Sequence, residues 1–498
     1  MSHPGAIAQT TPDKAAVIFD GRTRTYAELD ARSLALANRL AAMGLQPGDV
    51  VALWANNGPD YLTAAWAAQR SGLYVLPVAS GLTAAEVEYI LRDSGAKALV
   101  SDRAADFDGP RLALDDALFI DPGTHTAPAI EGGDMMYTSG TTGRPKGVRR
   151  PLSHAPLGSD TRRAEKLAAL FGFGQDTVFL SPAPLYHAAP FRFAMSVLRL
   201  GGTVVLMERF DARRSLSLLR EHAVTHSQWV PTMFARLLAL PEAERRAHHA
   251  PLHRAAIHAG APCPPDVKRT MIDWWGPILH EYYSGTESIG FTHITSAEWL
   301  ERPGSVGRPW NCTVHVLDES GAERAAGETG TVYFGGKGAP AYHNAPDKTA
   351  AARRGALATM GDIGHVDADG YLYLTDRAAF TIISGGVNVY PAEVEAVLAA
   401  HPDVALACVF GVPDPDFGEV VQAVVELRSD VGRARDGVVQ ELFAQCRDRL
   451  SAPKRPKRIA VEQIPLTGSG KIAKAAVRAR YAERTDRGLS EHRTGAPA

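Results

Sequence analysis

The sequence predicts an α/β protein. We expect a large N-terminal domain of stacked parallel α/β sheets with a small barrel-like β part, followed by a small C-terminal α+β domain. Three observations lead to this fold class. The chain has 498 residues, which is too long for one hydrophobic core. Helical and strand patterns alternate through short connections, as in parallel sheets covered on both faces. The composition then changes after Asp376 and Arg377.

The first elements carry clear local signals. Thr25 and Glu28 form a capping-box pattern at the start of a predicted helix, and Thr83 and Glu86 repeat it. Residues 50–54 are an apolar run after a turn, which predicts a buried strand. The N-terminal region therefore reads as repeated helix–strand units.

The later elements change in character. Residues 201–206 lead from a glycine turn into another buried strand, whereas residues 327–336 are rich in Gly, Thr, Val and Tyr, which favours antiparallel sheet or a barrel. Helical and strand patterns alternate again from residue 391, over a length that suits an independent small domain. We therefore expect two domains, residues 1–377 and 378–498.

Bulk composition narrows the class of protein. The formal net charge is −2, so no overall basic field attracts nucleic acid. The four cysteines are scattered without a CxxC pair, which favours a reducing compartment over a disulfide framework or zinc cluster. No secretory signal pattern opens the chain, and no apolar run is long enough for a membrane helix. A cytoplasmic location without an integral membrane segment follows as the expectation.

Residues 135–148 are the most informative segment. An apolar, strand-like lead-in opens into hydroxyl residues and glycines, and Lys146 closes the loop. Such a loop can turn backbone N–H groups and hydroxyls toward a polyphosphate. Pro145 precedes the lysine where a Walker A loop has glycine, so this is a different kind of phosphate loop.

Three further segments carry chemically suitable groups. Glu287 follows a Ser-Gly-Thr turn, and a single carboxylate of this kind suits Mg²⁺, whose remaining ligands come from phosphates and water. Asp362 stands beside a glycine and is suited to accept hydrogen bonds from ribose hydroxyls. Lys471 lies on a Gly/Ser loop that can deliver a positive charge to a transition state and then leave.

These motifs, in this order, resemble the acyl-adenylate-forming superfamily, which includes acyl- and aryl-CoA synthetases, luciferases and non-ribosomal peptide adenylation domains. The resemblance spans roughly Tyr137 to Lys471. It implies that a carboxylic acid reacts with ATP, in the presence of Mg²⁺, to give acyl-AMP, and that the thiol of CoA then takes the acyl group. It also implies that the small C-terminal domain is mobile and alternates between the two steps.

The resemblance implies a role for each motif residue. Catalytic roles fall to Lys471, Glu287, Thr286 and Arg377, with Glu287 as the metal ligand. ATP contacts fall to Thr138, Ser139, Gly140, Thr141, Thr142, Gly143, Lys146, Tyr283, Gly285 and Asp362. The tunnel for the CoA thiol falls to Gly385 and Gly386. Relatives place a charged or polar hinge residue where this chain has Ala379, so the hinge position is open.

The acyl pocket is the least specified part of the prediction. Its candidates are His187, Trp229, His258, Ala259 and Gly260, although packing explains Trp229 and His187 nearly as well. No Asp occurs between Ser181 and Gly202 to pair with an amino group, which disfavours an amino-acid substrate. The expected substrate is an apolar carboxylic acid, fatty or aromatic.

Three interpretations of the function are consistent with the sequence. The first is an acid–CoA ligase. The second is a stand-alone adenylating enzyme that loads an acyl carrier protein. The third is an inactive homologue that acts by binding, and the intact Lys146, Glu287, Asp362, Arg377 and Lys471 argue against it. Nothing specific supports a luciferase-like oxygenase.

Overall fold

The structure, a computed structural model, describes residues 3–123, 125–138, 145–336, 341–377, 380–384, 387–414, 417–428, 431, 434–468 and 470–486. It divides into two compact units. The first unit comprises Met1–Ala259, Met271–Ile289 and Gly338–Ala351, and the second comprises Gly260–Thr270, Gly290–Lys337 and Ala352–Ala498. The predicted α/β class is confirmed. The predicted domain division after residue 377 stays a prediction.

The first unit contains two largely parallel sheets. Its strands are β1 (Ala15–Phe19), β2 (Arg22–Thr25), β3 (Val50–Trp54), β4 (Tyr74–Pro77), β5 (Ala96–Ser101), β6 (Arg111–Leu112), β7 (Gly133–Thr138), β8 (Lys146–Arg149), β9 (Val178–Ser181), β10 (Thr203–Leu206), β11 (His226–Trp229), β12 (Ala255–His258) and β13 (Leu279–Tyr283). One sheet has the order β6-β5-β3-β4-β7-β8, and the other runs β13-β12-β11-β9-β10-β1-β2. Among the described residues of these sheets, β2 pairs antiparallel to β1, and β8 pairs antiparallel to β7.

In the described part of the chain, fifteen α-helices flank the strands. They are α1 (Pro4–Thr10), α2 (Tyr26–Ala42), α3 (Pro59–Arg70), α4 (Ala84–Ser94), α5 (Arg162–Phe171), α6 (Ala188–Arg199), α7 (Ala212–Glu221), α8 (Pro231–Leu238), α9 (Glu242–Ala247), α10 (Pro265–Trp275), α11 (Ser296–Glu301), α12 (Pro346–Ala351), α13 (Pro391–Ala399), α14 (Arg435–Arg449) and α15 (Lys474–Asp486). Both predicted capping boxes are confirmed, with Thr25 and Glu28 at α2 and Thr83 and Glu86 at α4. None of the helices in the described part of the chain is long and apolar enough to cross a membrane.

The second unit is richer in antiparallel sheet. Its strands are β14 (Thr292–Thr295), β15 (Ser305–Pro309), β16 (Thr313–Leu317), β17 (Gly330–Gly335), β18 (Arg353–Arg354), β19 (Leu357–Val366), β20 (Leu372–Arg377), β21 (Ile382–Ser384), β22 (Val387–Val389), β23 (Val404–Asp414), β24 (Gly418–Leu427) and β25 (Arg458–Val461). The order β16-β17-β19-β20-β15-β14 fulfils the antiparallel expectation for residues 327–336. A separate five-stranded sheet has the order β22-β21-β24-β23, with β25 on β24.

Parallel register brings the functional segments of the first unit to one edge. Trp229 on β11 lies opposite His258 on β12, and His258 lies opposite Glu281 on β13. The carboxyl ends of parallel strands share one edge of a sheet, which is where α/β proteins bind ligands. The segments after β11, β12 and β13 therefore begin close together.

His226 on β11 is a buried histidine with a partner at each ring nitrogen. Its Nδ1 lies 2.7 Å from Thr225 Oγ1, and its Nε2–H donates to Phe171 O at 2.8 Å. Burial, with Arg254 and His280 nearby, lowers the pKa of His226 from 6.5 to about 4. The neutral ring is therefore the form that the fold favours.

We expect the free energy of unfolding to fall as pH drops from about 6.5 through about 4, because the unfolded state gains the proton first. His226→Gln should make this decline shallower by about 1.4 kcal/mol per pH unit. Urea unfolding at several pH values measures it, with His249→Gln at an exposed histidine as the control. Equal pH dependence in all three proteins would contradict the assignment.

Candidate active site

The predicted phosphate loop closes a β-hairpin. Strands β7 and β8 are antiparallel, and Thr138 at the end of β7 pairs with Lys146 at the start of β8. The loop candidates Ser139, Gly140, Thr141, Thr142 and Gly143 lie outside the described residues, as does the side chain of Thr138. The hairpin fixes both ends of the loop, and it places Lys146 where the loop returns to the sheet.

Tyr342 connects Lys146 with Glu287. Lys146 Nζ lies 5.1 Å from the centre of the Tyr342 ring. The Tyr342 hydroxyl donates to Glu287 Oε1 at 2.8 Å. The structure therefore brings the loop lysine and the predicted metal carboxylate together through a side chain that the sequence motifs did not single out.

The backbone around Tyr342 is anchored to the same hairpin. Tyr342 forms an isolated bridge with Val148 on β8. His343 N donates to Gly147 O at 2.8 Å, and His343 Nε2–H donates to Asp93 O at 2.9 Å. Asp93 also accepts a hydrogen bond from the Tyr137 hydroxyl at 2.5 Å. These contacts hold the tyrosine at the phosphate hairpin.

The turn that carries Glu287 follows β13 directly. Tyr283 is the last residue of β13, and the Ser288 N–H donates to Gly285 O at 3.0 Å. Ser288 has φ 52°, a left-handed conformation that costs a non-glycine residue about 1–2 kcal/mol. Thr286 and Glu287 are thus presented on a tight, strained turn.

The donor set at this turn fits Mg²⁺. Only one oxygen of the Glu287 carboxylate is used by Tyr342, so the other can face a cation. Among the described residues, no group of three or more His, Cys, Asp or Glu could hold a metal by itself. Mg²⁺ suits such a site because it binds one or two carboxylates together with phosphate oxygens and water.

The predicted ribose ligand belongs to the second unit. Asp362 on β19 is 5% exposed and pairs in register with Arg377 on β20. The Gly361 N–H donates to Thr359 Oγ1 at 2.9 Å, which fixes the backbone before the aspartate. The Arg377 side chain lies outside the described residues.

Lys471 also belongs to the second unit and ends a tight turn. Thr467 N donates to Lys471 O at 2.6 Å, and Gly470 N donates to Thr467 O at 2.8 Å. Gly470 adopts φ 79°, which glycine tolerates without strain. Leu466 and Ile472 bridge across the base of this turn. The thiol-tunnel candidates Gly385 and Gly386 and the hinge candidate Ala379 lie outside the described residues.

Of the acyl-pocket candidates of the first unit, Trp229 and His258 lie at strand ends, whereas His187 lies at the start of a helix. His187 directly precedes α6, and its ring is 4.5 Å from that of Tyr186. Trp229 ends β11, and its Nε1–H donates to Ser227 Oγ at 2.6 Å. His258 ends β12, with Nε2 3.8 Å from Glu281 Oε2.

The remaining two candidates continue the chain beyond β12. Ala259 is buried and is the last residue of the first unit before the segment that begins at Gly260. Gly260, with φ 89°, belongs to the second unit. The register of β11 and β12 places Trp229 and His258 side by side.

Arg192 on α6 is a second residue of the site that lies outside the sequence motifs. Its guanidinium group binds Asp134 on β7 and also the Thr286 carbonyl in the Glu287 turn. Neither Arg192 nor Tyr342 stands in a glycine-rich or acidic motif. The signal available in the sequence was only an arginine among the apolar residues of a helix that also contains Ser196 and Arg199, which does not identify its partners.

Comparison with known proteins places these features in a family. A family model described as "AMP-binding enzyme" matches residues 6–340, and one described as "AMP-binding enzyme C-terminal domain" matches residues 393–471. A feruloyl-CoA synthase from Amycolatopsis sp. is 36% identical, with 96% of this chain and 98% of that protein covered. The long-chain-fatty-acid–CoA ligase FadD13 from Mycobacterium tuberculosis is 32% identical, with 92% and 93% covered.

Solved structures show the same similarity. The o-succinylbenzoate CoA synthetase MenE of Bacillus subtilis, in complex with its acyl-adenylate intermediate, matches with a TM-score of 0.80 at 29% identity. That match covers 96% of this chain and 98% of the MenE chain. A second structure of the same enzyme contains ATP and a magnesium ion.

We expect Tyr342→Phe to slow substrate-dependent pyrophosphate release from Mg·ATP about tenfold. A hydrogen bond to a charged group contributes about 1.5 kcal/mol or more, and its loss frees the Glu287 carboxylate to turn away. The control is Tyr371→Phe, because the Tyr371 hydroxyl donates to Glu298 Oε1 at 3.2 Å outside the predicted site. An equal effect of the two substitutions would contradict a role for Tyr342 at the site.

Proposed function

We propose that this chain, which belongs to the AMP-binding enzyme family, joins an aromatic carboxylic acid to CoA. The ligase activity itself is that of the acyl- and aryl-CoA synthetases: the chain is an AMP-forming acid–thiol ligase that uses ATP, CoA and Mg²⁺. The finer proposals concern the acid, the roles of individual residues and the exchange of the small domain between two steps.

The reaction has two balanced steps. A carboxylate oxygen of the acid attacks the α-phosphorus of ATP, and the bond to pyrophosphate breaks, which leaves acyl-AMP. The thiolate of CoA then attacks the acyl carbon, and AMP leaves with the electrons of the broken anhydride bond. A magnesium ion, when bound, neutralises charge on the ATP phosphates during the first step.

The first step must bring two anions together, so its main barrier is electrostatic. We propose that Lys146 and Glu287 act at the phosphates, directly and through the cation, with Thr286 at the α-phosphate. The Tyr342 contact supports this, because it holds Lys146 and Glu287 near each other. In the second unit, Asp362 would hold the ribose, with Arg377 beside it.

We propose that the Lys471 ammonium group contributes its positive charge to the first step only. Its turn lies in the C-terminal segment, for which we keep the predicted division into residues 1–377 and 378–498. We propose that the smaller domain then rotates and presents Gly385 and Gly386 to the CoA thiol. The second step needs an open tunnel and no longer needs Lys471.

Tight aromatic packing beside the strand ends supports an aromatic acid over a long-chain fatty acid. Trp229, Phe234 and His258 are at most 1% exposed. The Trp229 ring centre lies 5.4 Å from Trp275, and Phe234 lies 5.3 Å from His258. An alkyl chain that continued past Trp229 and His258 would have to displace these close-packed rings, which carry a large packing energy. A compact planar acid does not require that space, and the feruloyl-CoA synthase relative agrees with this choice.

A cytoplasmic location is also proposed. Cys312, Cys408 and Cys446 are free thiols, as expected in a reducing compartment. Burial raises the pKa of the Cys408 thiol to about 12 and that of Cys446 to about 11. These two thiols are therefore structural and unreactive.

We expect pyrophosphate release with cinnamate to exceed release with nonanoate by at least about tenfold in kcat/KM, a difference of about 1.4 kcal/mol. The two acids have the same number of carbons but differ in shape and flexibility. CoA should be consumed into the thioester with the better acid. A preference for nonanoate and longer fatty acids would contradict the aromatic assignment and leave the ligase activity intact.

Lys471→Ala should reduce acyl-AMP formation by about two to three decades, while supplied acyl-AMP and CoA still give thioester at a rate near that of the parent enzyme. Lys474→Ala is the control, since Lys474 Nζ is engaged by Glu395 Oε1 at 2.8 Å. Rates of the separate half-reactions measure both. Equal loss of the two half-reactions in Lys471→Ala would rule out the proposed exchange of domains.

A further inference from the structure

A buried ion pair lies behind the predicted site. Asp134, near the start of β7, has a side chain that is 6% exposed, and Arg192 on α6 has one that is 13% exposed. Arg192 Nε and Nη2 both donate to Asp134 Oδ2, at 2.9 and 2.6 Å. Arg163 Nη1 donates to Asp134 Oδ1 at 3.1 Å. Burial alone would raise the pKa of Asp134, but the two guanidinium groups hold it well below its usual range.

The third nitrogen of the same guanidinium reaches the Glu287 turn. Arg192 Nη1 donates to Thr286 O at 3.0 Å and to Ser288 Oγ at 3.1 Å. These two acceptors flank Glu287 in the sequence. One planar side chain therefore joins the strand that leads into the phosphate loop to the turn that carries the predicted metal carboxylate.

That turn needs external support to keep its shape. Ser288 holds a left-handed conformation with φ 52°, and such strain persists only where the surroundings impose it. Arg150 Nη2 donates to Ser288 O at 2.7 Å from the solvent side, and Arg192 supplies the buried contacts. The direction of the Glu287 side chain thus depends on how firmly Thr286 and Ser288 are held.

A second buried ion pair on the same helix shows what a purely structural pair looks like. Arg199 Nη2 donates to Glu131 Oε2 at 2.7 Å, with side chains 12% and 3% exposed. Glu131 Oε1 also accepts from Gly158 N at 2.6 Å. The Arg199–Glu131 pair has burial and geometry similar to those of the Asp134–Arg192 pair. Its hydrogen-bond partners, however, include no predicted site residue.

We propose that Arg192 is a positioning residue for the adenylation step. It holds the Glu287 turn in a fixed place relative to the phosphate hairpin, so that the carboxylate faces the cation on the ATP phosphates. The inference rests on the proposed function, since it concerns the same site. It adds a residue that acts through Glu287 without touching the substrates.

Arg192→Lys is the principal variant. A lysine keeps a positive charge beside Asp134, but its single nitrogen cannot span Asp134, Thr286 and Ser288 as the planar guanidinium does. The matched control is Arg199→Lys, which makes the same change in the other pair. Glu287→Gln, alone and combined with Arg192→Lys, completes a double-mutant cycle.

The first readout is equilibrium binding of ATP by calorimetry, with Mg²⁺ and with chelator. In the parent enzyme, Mg²⁺ should strengthen ATP binding. Arg192→Lys should lose most of that gain, whereas Arg199→Lys should keep it. The second readout is the pair of half-reactions: Arg192→Lys should slow acyl-AMP formation about tenfold or more and leave thioester formation from supplied acyl-AMP within about twofold.

The cycle separates positioning from stability. If Arg192 acts through Glu287, Arg192→Lys should have little further effect on adenylation in the Glu287→Gln background. Additive effects, or an Arg192→Lys variant that matches Arg199→Lys in binding and in both half-reactions, would overturn the inference while the proposed function stands. A parent enzyme that forms no acyl-AMP with any acid would overturn both.

Discussion

The ion pair between Asp134 and Arg192 is the contact through which the separate segments of the first unit's site are joined. Removing two charges from water costs several kcal/mol per ion, and a buried pair persists only where further hydrogen bonds satisfy its remaining groups. Here those bonds come from Arg163 and from the turn around Glu287. The hydrogen bonds that the Arg192 guanidinium group requires therefore fix three segments relative to one another. These are the strand before the phosphate loop, the helix after His187 and the turn that carries Glu287.

The chemistry makes that rigidity useful. The acid and ATP are both anions, and cations that are already in place stabilise their transition state without reorganising during the reaction. Lys146 is held at the end of the hairpin and lies against the ring of Tyr342, which in turn bonds Glu287. Lys471 stands on a turn of the second unit, closed by Thr467 and Gly470. Lys146 and Glu287 would serve ATP binding. Lys471 would serve only the formation of acyl-AMP.

The sequence was sufficient wherever the controlling interaction is local. The capping boxes at Thr25 and Thr83 and the alternation of helices and parallel strands depend on neighbouring residues, and both are confirmed. Tyr342 and Arg192 could not be found in this way, because their partners lie 55 and 58 residues away in the chain. Their contacts form only when the fold brings β7 and β8, in one sheet, close to the end of β13, which belongs to the other sheet. The role of Trp229 could not be predicted either, because an aromatic residue at the end of a strand gives the same sequence pattern whether it packs in the core or lines a binding pocket.

The ligase activity begins with the conversion of a carboxylic acid to its adenylate. Exchange of radiolabelled pyrophosphate into ATP, measured without CoA, tests it most directly because only a reversible adenylation returns the label to ATP. We predict exchange that requires both cinnamate and Mg²⁺. Absence of exchange with every acid tested, or acid-dependent formation of ADP in place of AMP, would contradict adenylation as the first step.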